Sequence, residues 1–131
     1  MLYQASATVR VGRFVVMTSS NTVAENTSAG GKCIGISQEG GRYAPVPLNT
    51  ASPVEAAQAG EMLNVHTLRE PGDFPRVLVG SGGITIGGEC KSSNAGEAVA
   101  ASTGTYVVAI AMETASAGEY AKVMPVLYQL N

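Results

Sequence analysis

The chain has 131 residues, 45% apolar, 14% charged and 5% aromatic, with no tryptophan and a formal net charge of −2. That length suits a single domain whose core needs no metal or disulfide staple, and the apolar share excludes a strongly charged disordered chain. The eight Lys and Arg are scattered, with no basic run, which excludes the clustered positive face that nucleic acid requires.

Met1 to Ala7 has little pattern and reads as an extended N-terminal arm, with Leu2 and Tyr3 as its large apolar anchors. Thr8 to Met17 alternates around Val9 and Val11 and predicts a strand interrupted at Gly12. Its apolar run, Phe14 to Met17, is far too short for a signal-peptide core or a membrane span, so the chain reads as unexported. Thr18 to Gly31 is polar and turn-rich, and Lys32 to Ser37 is a short strand. A Pro-rich insertion, 39–53, holds Pro45 and Pro47 and predicts a loop or exposed edge, because proline cannot donate to a ladder. Ser52-Pro53-Val54-Glu55 carries cap, first-turn proline and acidic signals, and Gly60 stands where a helix stops, so a two-turn helix is predicted between Pro53 and Ala59. Glu61 to Arg69 returns to strand, and Glu70-Pro71-Gly72-Asp73 predicts a type II turn. Arg76 to Val79 and Ile84 to Ile86 are strands divided by glycines. Gly87-Gly88 opens a second polar stretch. Tyr106 to Met112 and Ala121 to Leu127 are the last strands. Short strands with Gly and Pro between them describe a barrel or sandwich.

One segment, A-x-A-G-E-x-x-x-V, is written twice. Ala57 to Val65 aligns without gaps on Ala115 to Val123. Upstream of each copy lies a glycine and then a short apolar run, Cys33 to Ile36 and Val108 to Ala111. Two related β units within one domain (1–131) are therefore expected, the first over 8–69 with the Pro-rich insertion and the second over 76–127. Ala95-Gly96-Glu97 shows the tripeptide a third time without the same flanks. In strand geometry Leu63 and Val65, with Ala121 and Val123, face a core. Asn64, His66, Lys122 and Met124 fall on the other face, which mixes polar with large apolar groups as a subunit contact does.

Chemistry-bearing residues are few. Cys33 and Cys90 read as small buried hydrophobes, and the absence of a CxxC pair excludes a zinc ribbon. His66, the single histidine, reads as a surface or interface residue, since a nucleophile–base pair also needs an orienting third group. Gly80-Ser81-Gly82-Gly83 lacks the Lys-Ser/Thr ending of a phosphate-binding loop and precedes a strand, so it predicts a hairpin turn. The ten carboxylates form no local acid–base or calcium pattern. The expectation is a protein that is not an enzyme, with no catalytic, metal or cofactor residues.

Gly12 to Val16, Gly35-Ile36, Ala59-Gly60-Glu61 with Val65, Ile110-Ala111-Met112, and Ala117-Gly118-Glu119 with Val123 together resemble the capsid decoration, or cement, proteins of tailed bacteriophages. The segment from Arg42 to Pro53 departs from that pattern. The resemblance implies a small β-barrel or β-tulip-like domain, at most one or two short helices, and an N-terminal arm that crosses neighbouring capsid subunits. It implies a homo-oligomer, a trimer foremost, whose partner is the major capsid protein and which contacts no nucleic acid and no membrane. Its place would be the capsid surface of the virion, after assembly in the bacterial cytoplasm, and its role to brace the expanded shell. The interface candidates are Leu2, Tyr3, Asn64, His66, Lys122 and Met124. The alternative is a small barrel that presents Arg42, Tyr43 and the nearby loop to a glycan or peptide.

Overall fold

Glycines cut the apolar runs into pieces, and among the described residues twelve strands form, most of them six residues or fewer. The computed structural model describes residues 2–38, 55–68 and 74–131. The strands are β1 (Leu2–Ala5), β2 (Val9–Arg10), β3 (Phe14–Met17), β4 (Thr22–Glu25), β5 (Gly35–Ser37), β6 (Glu55–Ala57), β7 (Met62–Thr67), β8 (Arg76–Leu78), β9 (Glu89–Ser92), β10 (Ala98–Ala100), β11 (Tyr106–Ala111) and β12 (Tyr120–Gln129). Among the described residues there is no helix. Strands β1-β4-β3-β5-β7 close into a barrel. Strands β10-β9-β11-β12-β8 form a second sheet, and a parallel bridge, Val79 to Ala98, joins its two edges.

The two units pair their strands in the same register. In the first, Val15 faces Gly35, Phe14 faces Ile36, and Gly35, Ile36 and Ser37 face Thr67, His66 and Val65. In the second, Cys90 faces Ala109, Glu89 faces Ile110, and Ala109, Ile110 and Ala111 face Pro125, Met124 and Val123. The parallel pair Ala5–Val23 has its counterpart in Val79–Ala98, and Val9–Ala57 in Ile84–Ala115. Ile36 and Ile110 are 74 positions apart, Val65 and Val123 only 58, so the first unit carries 16 more residues, between Gln38 and Glu55.

The doubled A-G-E segment is the turn that feeds β7 and β12. Glu61 N–H donates to Gln58 O at 3.0 Å and Glu119 N–H to Ser116 O at 3.1 Å. Gly60 and Gly118 occupy the third position with φ of 88° and 89°, the conformation a type II turn reserves for glycine. Each glutamate then reaches back: Glu61 Oε1 accepts from Gln58 N–H at 2.8 Å, and Glu119 Oε1 from Ser116 N–H at 2.7 Å. The third A-G-E is a different object, because there Ser93 Oγ accepts from the N–H groups of Ala95 and Glu97.

Several sequence expectations are corrected. The helix between Pro53 and Ala59 does not form over its described part: Glu55–Ala57 is β6, paired with β2, and Ala56 and Ala57 are buried. A two-turn helix is marginal on its own, and the ladder to Val9 and Arg10 outweighs its capping signals. The polar stretch 18–31 contains β4, and the stretch after Gly88 contains β9 and β10. Their sequences mix polar with small apolar residues and show no clear run, but backbone pairing of β4 with β3 and β1, and of β9 with β11 and β10, makes them strands. Ile84 to Ile86 shrinks to one bridge at Ile84. The Pro-rich insertion, the Pro53 helix start and the Glu70–Asp73 turn lie outside the described residues.

Residues 2–5 of the predicted N-terminal arm are extended, but the extension is used inside the chain. β1 lies between β4, in parallel, and β7, in antiparallel. Ala5 N–H donates to Glu61 O and Gly60 N–H to Ala5 O, both at 2.8 Å. Gln4 and Ala5 are thus paired on both edges, and Leu2 and Tyr3 are held on one edge by β7, so β1 is tied into the barrel. Its equivalent in the second unit is β8, where Val79 N–H donates to Glu119 O at 2.8 Å and Gly118 N–H to Val79 O at 2.9 Å.

Two apolar clusters result. Ala5, Val9, Val15, Val23, Leu63 and Val65 fill the first barrel. The second cluster combines Val77, Val79, Cys90, Ala121 and Val123 with Phe14, Cys33 and Ile36 from the first unit. The units therefore share a core.

Candidate functional site

The outward side chains of β7 and β12 alternate as the period-two pattern requires: Met62 and Asn64 are exposed and Leu63 and Val65 buried, while Lys122 and Met124 are exposed and Ala121 and Val123 buried. Leu2, 61% exposed, faces the exposed Asn64 across the β1–β7 ladder. In the second unit Lys122 faces Arg76, and Met124 faces Ile110. His66 is half-buried opposite Ile36, its Nδ1 is 3.1 Å from Thr67 O, and its Nε2 has no hydrogen-bond partner among the described residues. Tyr3 does not join this outer face. It is half-buried and lines a cavity of about 300 Å³ with Lys32, Ile34, Thr67 and Leu127. The structure thus pairs Leu2 with Asn64 but spreads the six predicted contact residues over both units, with Asn64 equivalent to Lys122 and His66 to Met124.

Both thiols are buried. Burial pushes the Cys33 thiol up to about 12 and the Cys90 thiol up to about 11, the opposite of what an attacking thiolate needs. Each points at a backbone carbonyl, Cys33 Sγ at Gly31 O (3.6 Å) and Cys90 Sγ at Gly88 O (3.7 Å). Gly80 to Gly83 makes a tight turn in which Gly83 N–H donates to Gly80 O at 3.2 Å. Arg42 and Tyr43 lie outside the described residues.

The more informative surfaces are those where the units meet. The first unit offers a socket, the bend Val11 to Phe14 together with Gly30. The second unit fills it with Ser92, Gly96 and Tyr120. Phe14 N–H donates to Gly96 O and Gly30 N–H to Ser92 O, both at 2.8 Å. A Cβ on Gly12 would stand 2.6 Å from Tyr120 Cε1, so only glycine admits the ring. The buried Arg13 guanidinium donates to Val11 O at 2.7 Å and to Tyr120 Oη at 3.4 Å. Beside this contact, Asn26 Nδ2 donates to Ser92 Oγ at 2.8 Å and Ser93 O at 3.2 Å. The sequence placed Val11, Gly12 and Phe14 on an interrupted strand and Gly96 in a third A-G-E, but gave no sign that the second unit covers the first there. Each is ordinary alone, and their meaning lies in contacts between residues far apart in the chain, such as the 66 positions between Asn26 and Ser92 and the 107 between Arg13 and Tyr120.

No protein-family model matches the chain, and no curated protein matches it. Among solved structures it is similar to the head fiber gp8.5 N base of bacteriophage phi29, with a TM-score of 0.65 and 16% identity over 100% of this chain and 96% of that one. The likeness is one of fold: both chains share the same mainly β architecture along their whole length.

Proposed function

We propose that this chain is a structural protein of a bacteriophage virion that attaches to the capsid surface. The observation that carries this reading is the end-to-end likeness of fold to a phage head fiber base. The low charge and the exposed apolar side chains Leu2, Met62, Ile86 and Met124 suit a protein built to be covered by other proteins. In this reading the major capsid protein is its partner, the chain acts as a homo-oligomer, and it takes no part in catalysis. Assembly takes place in the bacterial cytoplasm. It braces the expanded shell by mass action: a ligand that binds only the assembled lattice stabilises it by its binding free energy, and many copies multiply the effect.

The experiment is to strip the protein from purified particles and measure genome release on heating or osmotic shock. Stripped particles should release at lower temperature, and adding the protein back should restore the intact value. Particles equally robust with and without it would sink the bracing role. Failure of labelled protein to bind stripped particles would sink the capsid attachment as well.

A further inference from the structure

The two units are built alike and buried unlike. By the shared register, the second unit's own socket is Ile86 to Glu89 with Gly104. The first unit's own equivalents of Ser92, Gly96 and Tyr120 are Met17, Asn21 and Met62. Within the chain only one of these two matched pairs is used. Val11 is 3% exposed and its counterpart Ile86 63%. Tyr120 is 6% exposed and its counterpart Met62 54%. A Cβ on Gly30 would strike Thr105 at 2.6 Å, whereas one on Gly87 or Gly104 would meet nothing within 4 Å among the described residues.

That asymmetry defines the relation between the units. Under a local two-fold axis Gly87 would meet Met62 just as Gly12 meets Tyr120. Open space above Gly87 shows that it does not, so the contact runs head to tail. A head-to-tail contact leaves one unused socket and one unused cap on every chain.

We infer that a second copy of this chain fills the free socket, with Met17 and Met62 of one copy seated on Ile86 to Gly88 of the next, so that chains repeat between themselves the packing their two units make internally. The free faces are matched in chemistry as well as position. Inside the chain Arg13 meets the Tyr120 hydroxyl. On the free faces the corresponding residues are Gly88 and Met62, so the guanidinium and the hydroxyl are lost together, while Glu89 of the free socket keeps the Tyr128 hydroxyl as its partner. Along one row of the sheet, Phe14 and Ile36, fully buried by the second unit, correspond to the exposed Glu89 and the half-buried Ile110, and the half-buried His66 corresponds to the exposed Met124. Asn21 replaces Gly96, so the backbone approach made there by glycine is not copied in detail. This inference deepens the homo-oligomer of the proposed function by naming its surfaces. It is tested on the free protein, so its failure leaves attachment to the capsid to be judged by the particle experiment.

The test uses sedimentation equilibrium of the full chain over a concentration series, with Ile86→Glu and Met62→Glu, alone and mixed. The wild type should exceed monomer mass. Each variant alone should associate more than about tenfold more weakly, because one lacks a socket and the other a cap. Mixed, the intact cap of Ile86→Glu and the intact socket of Met62→Glu should give a one-to-one dimer that grows no further. A monomeric wild type, single variants that assemble normally, or a mixture that stays monomeric would each overturn the proposal. Both positions are exposed, and circular dichroism of each variant checks the fold. A second pair, Glu89→Cys and Asn21→Cys in separate chains, copies the Phe14–Gly96 contact. It should cross-link as a heterodimer on oxidation, and absence of that product would count equally against the inference.

Discussion

Gly12 and Gly87 show how one residue type serves two ends. Both take positive φ, 71° and 80°, where an L side chain costs about 1–2 kcal/mol. Only Gly12 also lies under a ring, which adds an overpacking cost of about 1–3 kcal/mol. Gly12→Ala should therefore destabilise clearly more than Gly87→Ala in urea titrations at low protein concentration, and equal losses would mean that Tyr120 yields freely. The thiols give a pH dependence with a definite sign. In the unfolded chain they ionise near the ordinary value of 9.0, but in the folded chain they hold their protons to about 12 and about 11. Between those limits the unfolded state binds fewer protons, so stability should fall as pH rises above about 9. Replacing both cysteines with alanine should flatten that decline, whatever it does to stability at neutral pH. A slope unchanged by the double substitution would remove the thiols as its cause.

At the scale of elements, the A-G-E turn and β1 carry the weight. Glu119→Ala deletes the acceptor of the Ser116 N–H and should cost about 0.5–1.5 kcal/mol, read as a drop in melting temperature that Glu119→Gln largely avoids. Deleting residues 1–5 should do far more than trim an arm. It would open the ladder edges of β4 and β7 and bare the first barrel's Val23, Leu63 and Val65 to water. Loss of the cooperative melting transition is expected, and a truncated chain that melts like the full one would restore the free-arm reading. The recurrence was legible in sequence, because the turn demands glycine at one position and each copy repeats the Ala-Gly-Glu around it. The fate of β1 was not, because Leu-Tyr-Gln-Ala has no alternation to reveal that both its edges are paired. The helix signals before Gly60 misled for the same reason, since capping is local and the β2–β6 ladder is not.

Across the whole molecule, the units should unfold as one. Phe14 belongs to the first unit's β3 and sits in the second unit's core. Phe14→Ala should cost about 3–5 kcal/mol and should lower a single transition seen alike by fluorescence and circular dichroism. Two separated transitions in the wild type would show that the shared core does not couple the units. The low charge and scattered apolar surface follow from the same architecture, because a chain that covers one of its sockets with its own second unit still has another to cover.

The amino-acid sequence by itself determined that the chain is mainly β, that it is cut by glycine into short strands, that one A-G-E turn recurs, and which side of β7 and β12 faces inward. These are consequences of backbone conformation and period-two alternation, which act over a few residues. Only the tertiary structure decided that β1 closes a barrel, that residues 55–57 are strand, and that two units with matching registers meet through unlike faces. Which of two equivalent positions is buried, Val11 or Ile86, Tyr120 or Met62, depends on what lies opposite in space. No local pattern encodes that, because a socket and its copy share the same turn whether or not anything fills them.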